Sequence, residues 1–217
     1  MKIHDMPQGS PAWFLTKRGK VGSSSMDMVI TPAKEAYSTQ AKKLIAALLA
    51  DMMSDDAAFV RRCLASFRSR PMENGTKLEA EAREYYKVIR GCDVVQVGGV
   101  ESDCGRWWRS PDGLVVRDGE YVCDLEIKVP DPKTHAAYML DPASLVAEYR
   151  CQIHGAFLCH PWPVEIMSYG DGVPPVMVTV TPDAFTEKLR AALERFDTEF
   201  KEAQARIVAA GGVLCPV

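Results

Sequence analysis

Apolar residues first recur at helical spacing in residues 38–53, STQAKKLIAALLADMM, where Leu44, Ile45, Leu48, Leu49 and Met52 share one face. A polar, arginine-rich stretch follows to about residue 74. A second helix is expected over 76–90, with Thr76 as its N-cap, an apolar stripe of Leu78, Ala82, Tyr85 and Ile89, and Gly91 as its stop. The period then shortens to two. Residues 93–100 (DVVQVGGV), 113–117 (GLVVR) and 121–129 (YVCDLEIKV) read as short strands, and the Asp118-Gly119 pair between the last two suits a tight hairpin turn. Asp141-Pro142 opens a helix expected to run to about residue 159. Strands follow near 163–169 and 175–180, and Thr181-Pro182-Asp183 opens a last helix. That helix carries Phe185, Leu189, Leu193, Phe196, Phe200 and Ile207 along one face until Gly211. The order predicts one α/β domain over 1–217 with a mixed central sheet.

Composition narrows this only modestly. A chain of 217 residues with 47% hydrophobic and 25% charged residues is ordinary for a globular domain with a real core. No apolar run reaches the length of a membrane span, and the first residues lack the apolar centre of a signal peptide, so a cytoplasmic location is expected. The seven cysteines are scattered, with no C-x-x-C pair, which argues against a zinc knot or a disulfide framework. A net charge of −3 does not advertise nucleic-acid binding, but local charge decides that. Arg61, Arg62, Arg68 and Arg70 cluster, as a solvated face or as phosphate contacts.

The strand 121–129 changes the picture. Alternation puts Cys123, Leu125, Ile127 and Val129 on one face and Asp124, Glu126 and Lys128 on the other. A solvated edge would explain such a charged face. Its hairpin partner is mostly apolar, however, and buried carboxylates are costly unless a cation neutralises them. Asp112 heads that partner strand, where the hairpin can bring its carboxylate to Glu126 around one divalent ion. Mg²⁺ needs few protein oxygens because it keeps several waters. Lys128 would then stand beside the ion's water, as phosphodiester hydrolysis requires.

Asp, then Glu-x-Lys on the second strand of a hairpin, resembles the signature of the PD-(D/E)XK nucleases. Four blocks in one order resemble the phage lambda exonuclease, or YqaJ-like viral recombinase, family: QGSPAWFLTKRGKVGSSSM, ENGTKLEAEAREYY, SPDGL with LEIKVP, and YRCQIHGAF. The resemblance implies a restriction-endonuclease-like fold, with helices flanking a mixed sheet. It implies Asp112, Glu126, the carbonyl of Ile127 and Glu79 as metal ligands for Mg²⁺, with Mn²⁺ able to substitute. Lys128 would be the catalytic lysine, and Gln152 would stand beside it with Tyr149 one turn earlier. Glu79 has a second reading, as the end of a capping box with Thr76. The terminal 5′-phosphate would be held by Lys17 or Arg18, with Ser24 and Tyr149. Lysine holds a phosphate only as a point charge, without arginine's fork. Trp13 is expected in the core. The activity implied is 5′→3′ digestion of linear double-stranded DNA to leave 3′ single strands for recombination, by a ring-shaped homotrimer working beside a single-strand annealing protein. An endonuclease on the same fold, or a DNA-end-binding module without catalysis, are the alternatives; the latter is disfavoured because Asp112, Glu126 and Lys128 are all present.

Overall fold

The computed structural model describes residues 1–68, 73–170 and 172–215. The chain opens with β1 (Lys2–His4), α1 (Pro11–Lys17) and β2 (Val21–Gly22). A 3-10 helix over Ser23–Met28 and the small hairpin β3 (Ile30–Thr31) and β4 (Ala36–Tyr37) follow. Three helices come next, α2 (Ala41–Met52), α3 (Asp56–Arg68) and α4 (Glu73–Arg90). Then come five strands: β5 (Asp93–Val95), β6 (Gly99–Glu101), β7 (Trp107–Arg109), β8 (Gly113–Arg117) and β9 (Glu120–Lys128). Helices α5 (Pro132–Leu140), α6 (Pro142–Glu148) and α7 (Arg150–Ala156), strands β10 (Val164–Ser168) and β11 (Val176–Val180), and α8 (Ala184–Ala209) complete the chain.

The central sheet has the order β11-β10-β9-β8-β5 and is mixed, with only β9 and β10 parallel. Helix α4 covers one face, where Ala82 and Tyr86 pack with Leu125, Ile127 and Met167. Helices α6 and α7 cover the other, where Leu145 and Ile153 pack with Val164 and Ile166. A second sheet, β1-β6-β7-β2, and the long helix α8 enclose the rest of the core.

The strands expected over 113–117, 121–129, 163–169 and 175–180 and the last helix stand as read, and Asp183 caps α8 with a full capping box. The hairpin turn is formed by Asp118 at φ 51° and Gly119 at φ 81°, the left-handed pair that the Asp-Gly dipeptide signals. Five expectations need correction. The arginine-rich stretch after α2 is a helix, α3, over Asp56–Arg68, because Phe59 buries against Trp13, Phe14 and Trp108 while Arg61 and Arg62 take the outer side. Helix α4 begins at Glu73, so Thr76 lies inside it and is not its N-cap. Its buried stripe runs through Ala82 to Tyr86, leaving Tyr85 and Ile89 exposed, because the sheet lies beneath Tyr86. The run 93–100 divides between two sheets, as β5 and β6. Gly99 permits the change, since a Cβ there would lie 2.3 Å from the Trp108 ring. The helix expected over 141–159 breaks at Tyr149, whose ψ of 15° separates α6 from α7. Trp13 is in the core as expected, and its Nε1 donates to Gly98 O at 2.6 Å. Among the described residues, no helix is long and apolar enough to cross a membrane.

Candidate active site

At the C-terminal end of β9 the chemistry converges. Asp112 leads into β8, where its backbone N–H donates to Leu125 O at 3.1 Å. Gly113 makes this approach possible, because a Cβ there would sit 2.3 Å from Val94 Cγ1. Since strand groups alternate, the backbone of Ile127 points the same way as that of Leu125, past the end of β8. There its N–H donates to Asp112 Oδ2 at 2.6 Å. The Ile127 carbonyl therefore opens toward the same space as the Asp112 carboxylate.

Glu126 lies on the opposite face of β9, 3% exposed. Its Oε1 takes the Lys128 ammonium at 2.5 Å and accepts from Gln152 Nε2 at 2.7 Å. Lys128 Nζ also donates to Gln152 Oε1 at 3.1 Å and stands 4.2 Å above the Tyr149 ring. Helix α7 thus supplies a glutamine that bridges both ends of the Glu-x-Lys pair. Glu79 on α4 is tied to Arg83 one turn later, at 2.7 Å, and Arg83 Nε also donates to the Asp112 backbone carbonyl at 2.8 Å.

The acidic groups repel each other. Burial, then the charges of Glu126 and Glu79, push the Asp112 carboxyl well above the ordinary carboxylate range. Burial and Glu126 likewise raise Glu79, against the pull of Arg83. A divalent ion would relieve this repulsion, and a set of carboxylates with one carbonyl is hard-oxygen chemistry suited to Mg²⁺. The residues present fit such an ion by donor type. Their side chains are at present turned to protein cations, and among the described residues no three His, Cys, Asp or Glu close into one ligand cluster.

The residues expected around a terminal phosphate are more dispersed. Ser24 is exposed on the 3-10 helix, which is seated against α7 where a Cβ on Gly155 would lie 2.2 Å from Met26 Sδ. Tyr149 is at the head of the same α7. Lys17 ends α1 with its ammonium 3.8 Å from the Trp13 ring centroid. Arg18 turns inward, buried, to Asp56 at 2.8 Å on α3. Of the arginine cluster, Arg62 pairs with Asp51 at 2.9 Å and Arg61 is exposed. The Arg68 side chain and Arg70 lie outside the described residues.

Sequence reasoning missed the cation behind Glu126. Arg109, 1% exposed on β7, grips Asp124 with Nε at 2.7 Å and Nη2 at 2.6 Å. Its third nitrogen, Nη1, stands 2.6 Å from Glu126 Oε2. His160 Nε2 meets Asp124 Oδ2 at 2.7 Å. Burial alone would raise the Asp124 carboxyl, but Arg109 and His160 pull it down to about 2. The placement of Asp124 on the Glu126 face was the available signal; its partner lies on another strand and could not be read from spacing.

A mixed sheet with an acid at the head of a hairpin and Glu-x-Lys on its second strand defines a PD-(D/E)XK-type fold. The chain belongs to the family of the YqaJ-like viral recombinase domain, whose pattern matches residues 12–159. The crystal structure of an alkaline exonuclease, LHK-Exo, from Laribacter hongkongensis is similar, at 21% identity and a TM-score of 0.64 over 93% of this chain and 100% of that one. The same enzyme in complex with dAMP matches over the same shares with a TM-score of 0.62 and 21% identity. No curated protein sequence matches the chain.

Proposed function

We propose that this chain, acting as one nuclease domain in the cytoplasm, is a metal-dependent exonuclease that digests linear double-stranded DNA from its 5′ ends and leaves 3′ single strands for recombination. The observation that carries the reading is the convergence of Asp112, Glu126, Lys128 and Gln152 at one end of β9. Asp112 and Glu126, with the carbonyl of Ile127 and with Glu79 at a second position, would hold Mg²⁺, or Mn²⁺ in its place. Such an ion supplies charge to the scissile phosphate and lowers the pKa of water.

The chain's own groups do the remaining work. Asp112 Oδ2 is fixed by Ile127 N–H, which would leave the other oxygen to hold an ion. Lys128 is steered by Gln152 and by the Tyr149 face, so its ammonium can hold the attacking water or offset charge building on the phosphate. Lys17, with Ser24 and Tyr149, would hold the terminal 5′-phosphate, while Arg18 secures α1 to α3. The family's ring-shaped homotrimer would account for processivity in a chain of net charge −3, and a single-strand annealing protein would take up the product strand.

The test is digestion of 5′-phosphorylated linear duplex beside covalently closed circles in Mg²⁺, with Lys128→Ala as control. Loss of the linear DNA from its 5′ ends, intact circles and an inert variant are expected. Cutting of circles would make the enzyme an endonuclease; binding without cutting would make it an end-binding module.

A further inference from the structure

Five buried side-chain polar atoms among the described residues make no hydrogen bond, and three of them, His160 Nδ1, Arg109 Nη1 and Glu126 Oε2, belong to residues joined in one cluster through Asp124 and Arg109. Buried groups are nearly always hydrogen-bonded, so such a concentration calls for a reason. Arg109 and Asp124 form a two-pronged pair, and His160 holds that pair from behind while stacking on Trp162 at 5.0 Å and 27°. The guanidinium is therefore fixed by one edge, and its free corner is brought to Glu126 Oε2 at 2.6 Å without the alignment of a hydrogen bond. Asp124 already offsets the Arg109 charge. What Glu126 receives is a partly neutralised resident cation that it cannot shed.

We propose that Arg109, set by Asp124, is a positioning residue that aims Glu126 and competes with the divalent ion for it. This rests on the reading of Glu126 as a metal ligand. Any ion approaching Glu126 must share its carboxylate with a like charge at contact distance in a site shielded from water, where such repulsion is strong. Ion binding by the free protein is then weak, and a DNA phosphate, bringing its own negative charge, strengthens it. Asp124 tunes the competition: removing its charge exposes Glu126 to the full guanidinium, and removing both charges ends the competition.

The test is Mn²⁺ binding to the full chain without DNA, by isothermal titration and electron spin resonance, with cleavage of linear duplex measured alongside. Removing Arg109 alone would strand Asp124, so the double variant R109Q/D124N is paired with D124N, and both are checked for folding by thermal unfolding. Expected are Mn²⁺ binding about tenfold tighter in R109Q/D124N, and several-fold weaker in D124N, with cleavage slowed in both. Tighter ion binding together with slower cleavage is a split that loss of structure does not produce. Mn²⁺ affinity unchanged in both variants, or weakened in R109Q/D124N, overturns the inference while E126Q still abolishes binding. If E126Q leaves the wild-type isotherm untouched, the metal reading itself fails and takes the inference with it.

Discussion

Glu165 and Glu126 are both almost fully buried, on adjacent strands, with Glu165 paired in register to Leu125, the neighbour of Glu126. They face opposite sides of the sheet. On the α4 side, Glu165 Oε2 accepts from Tyr86 at 2.6 Å and Oε1 takes Arg90, so each oxygen has a donor. Burial, and then Glu165 itself, push the Tyr86 hydroxyl far above its ordinary range, which keeps it a donor at any physiological pH. On the α7 side, Glu126 is held by a separate cation on each oxygen, Lys128 on Oε1 and Arg109 on Oε2, and the Arg109 contact at 2.6 Å lacks the alignment of a hydrogen bond. Burial of a carboxylate is thus common to structure and to function. On the proposed function, the poorly aligned contact separates them, because a group that exchanges partners during a reaction is not held by an aligned donor on every oxygen at rest.

The sharpest way to break this comparison is to neutralise each acid in turn. Glu126→Gln is expected to lower duplex digestion by about a thousandfold, the scale of losing a group that acts on the reacting phosphate. Its urea midpoint should change little, since the amide removes the repulsion with Asp112 and Glu79 and Arg109 keeps its pair with Asp124. Glu165→Gln is expected to do the reverse, keeping the rate per folded molecule while lowering stability by about 1–3 kcal/mol as the Arg90 charge loses its partner. Digestion rates and urea midpoints of both proteins measure this. An inactive but fully stable Glu165→Gln protein would end the distinction between the two sides.

A smaller effect is expected where the α7 side is assembled. A Cβ on Gly155 would come within 2.2 Å of Met26 Sδ and 3.3 Å of the Ser23 backbone. Gly155→Ala should therefore push the 3-10 helix, and Ser24 with it, off α7 at a cost of about 1–3 kcal/mol. If Ser24 helps to hold the 5′-phosphate, the preference for 5′-phosphorylated over 5′-hydroxyl ends should shrink while the rate on 5′-hydroxyl ends holds. An unchanged preference in a destabilised variant would remove Ser24 from the end-binding role.

The difference between the two sides also explains what the sequence could reveal. Asp112, Glu126 and Lys128 are joined by one hairpin, so local spacing and alternation were enough to bring them together. Gln152 was found only through the resemblance, since a glutamine within a helix carries no pattern of its own. Arg109 was invisible because its partners Asp124 and Glu126 are on a different strand, and only the packing of two sheets unites them. Helix α5 was legible and went unread: Asp131-Pro132 repeats the Asp141-Pro142 signal, and Asp131 caps it with bonds to Lys133 and Thr134. Helix α3 was masked for another reason. Its arginines dominate the composition, while Phe59 and Cys63 meet α1 only in three dimensions.

The smallest expected effect concerns the anchoring of α7, which carries Gln152. His154 on this helix is buried between Phe157 and Phe185, with Nδ1 2.8 Å from Thr186 Oγ1. Burial lowers its pKa below the ordinary histidine value, against the opposing pull of Asp183, and Arg150 adds a smaller push in the same direction as burial. The folded protein therefore holds this proton less readily than the unfolded chain. The stabilisation is present above the unfolded pKa, about 6.5, and is lost as pH falls through the folded value. The urea midpoint of the wild type should accordingly fall between pH 7.5 and pH 5, and His154→Gln should flatten that slope. Because Glu165 is bonded from the other face, its surroundings should not share in the change. Hydrogen exchange at pH 5 should loosen α7 before α4, and equal loosening of both helices would show that the two sides of the sheet are not held independently.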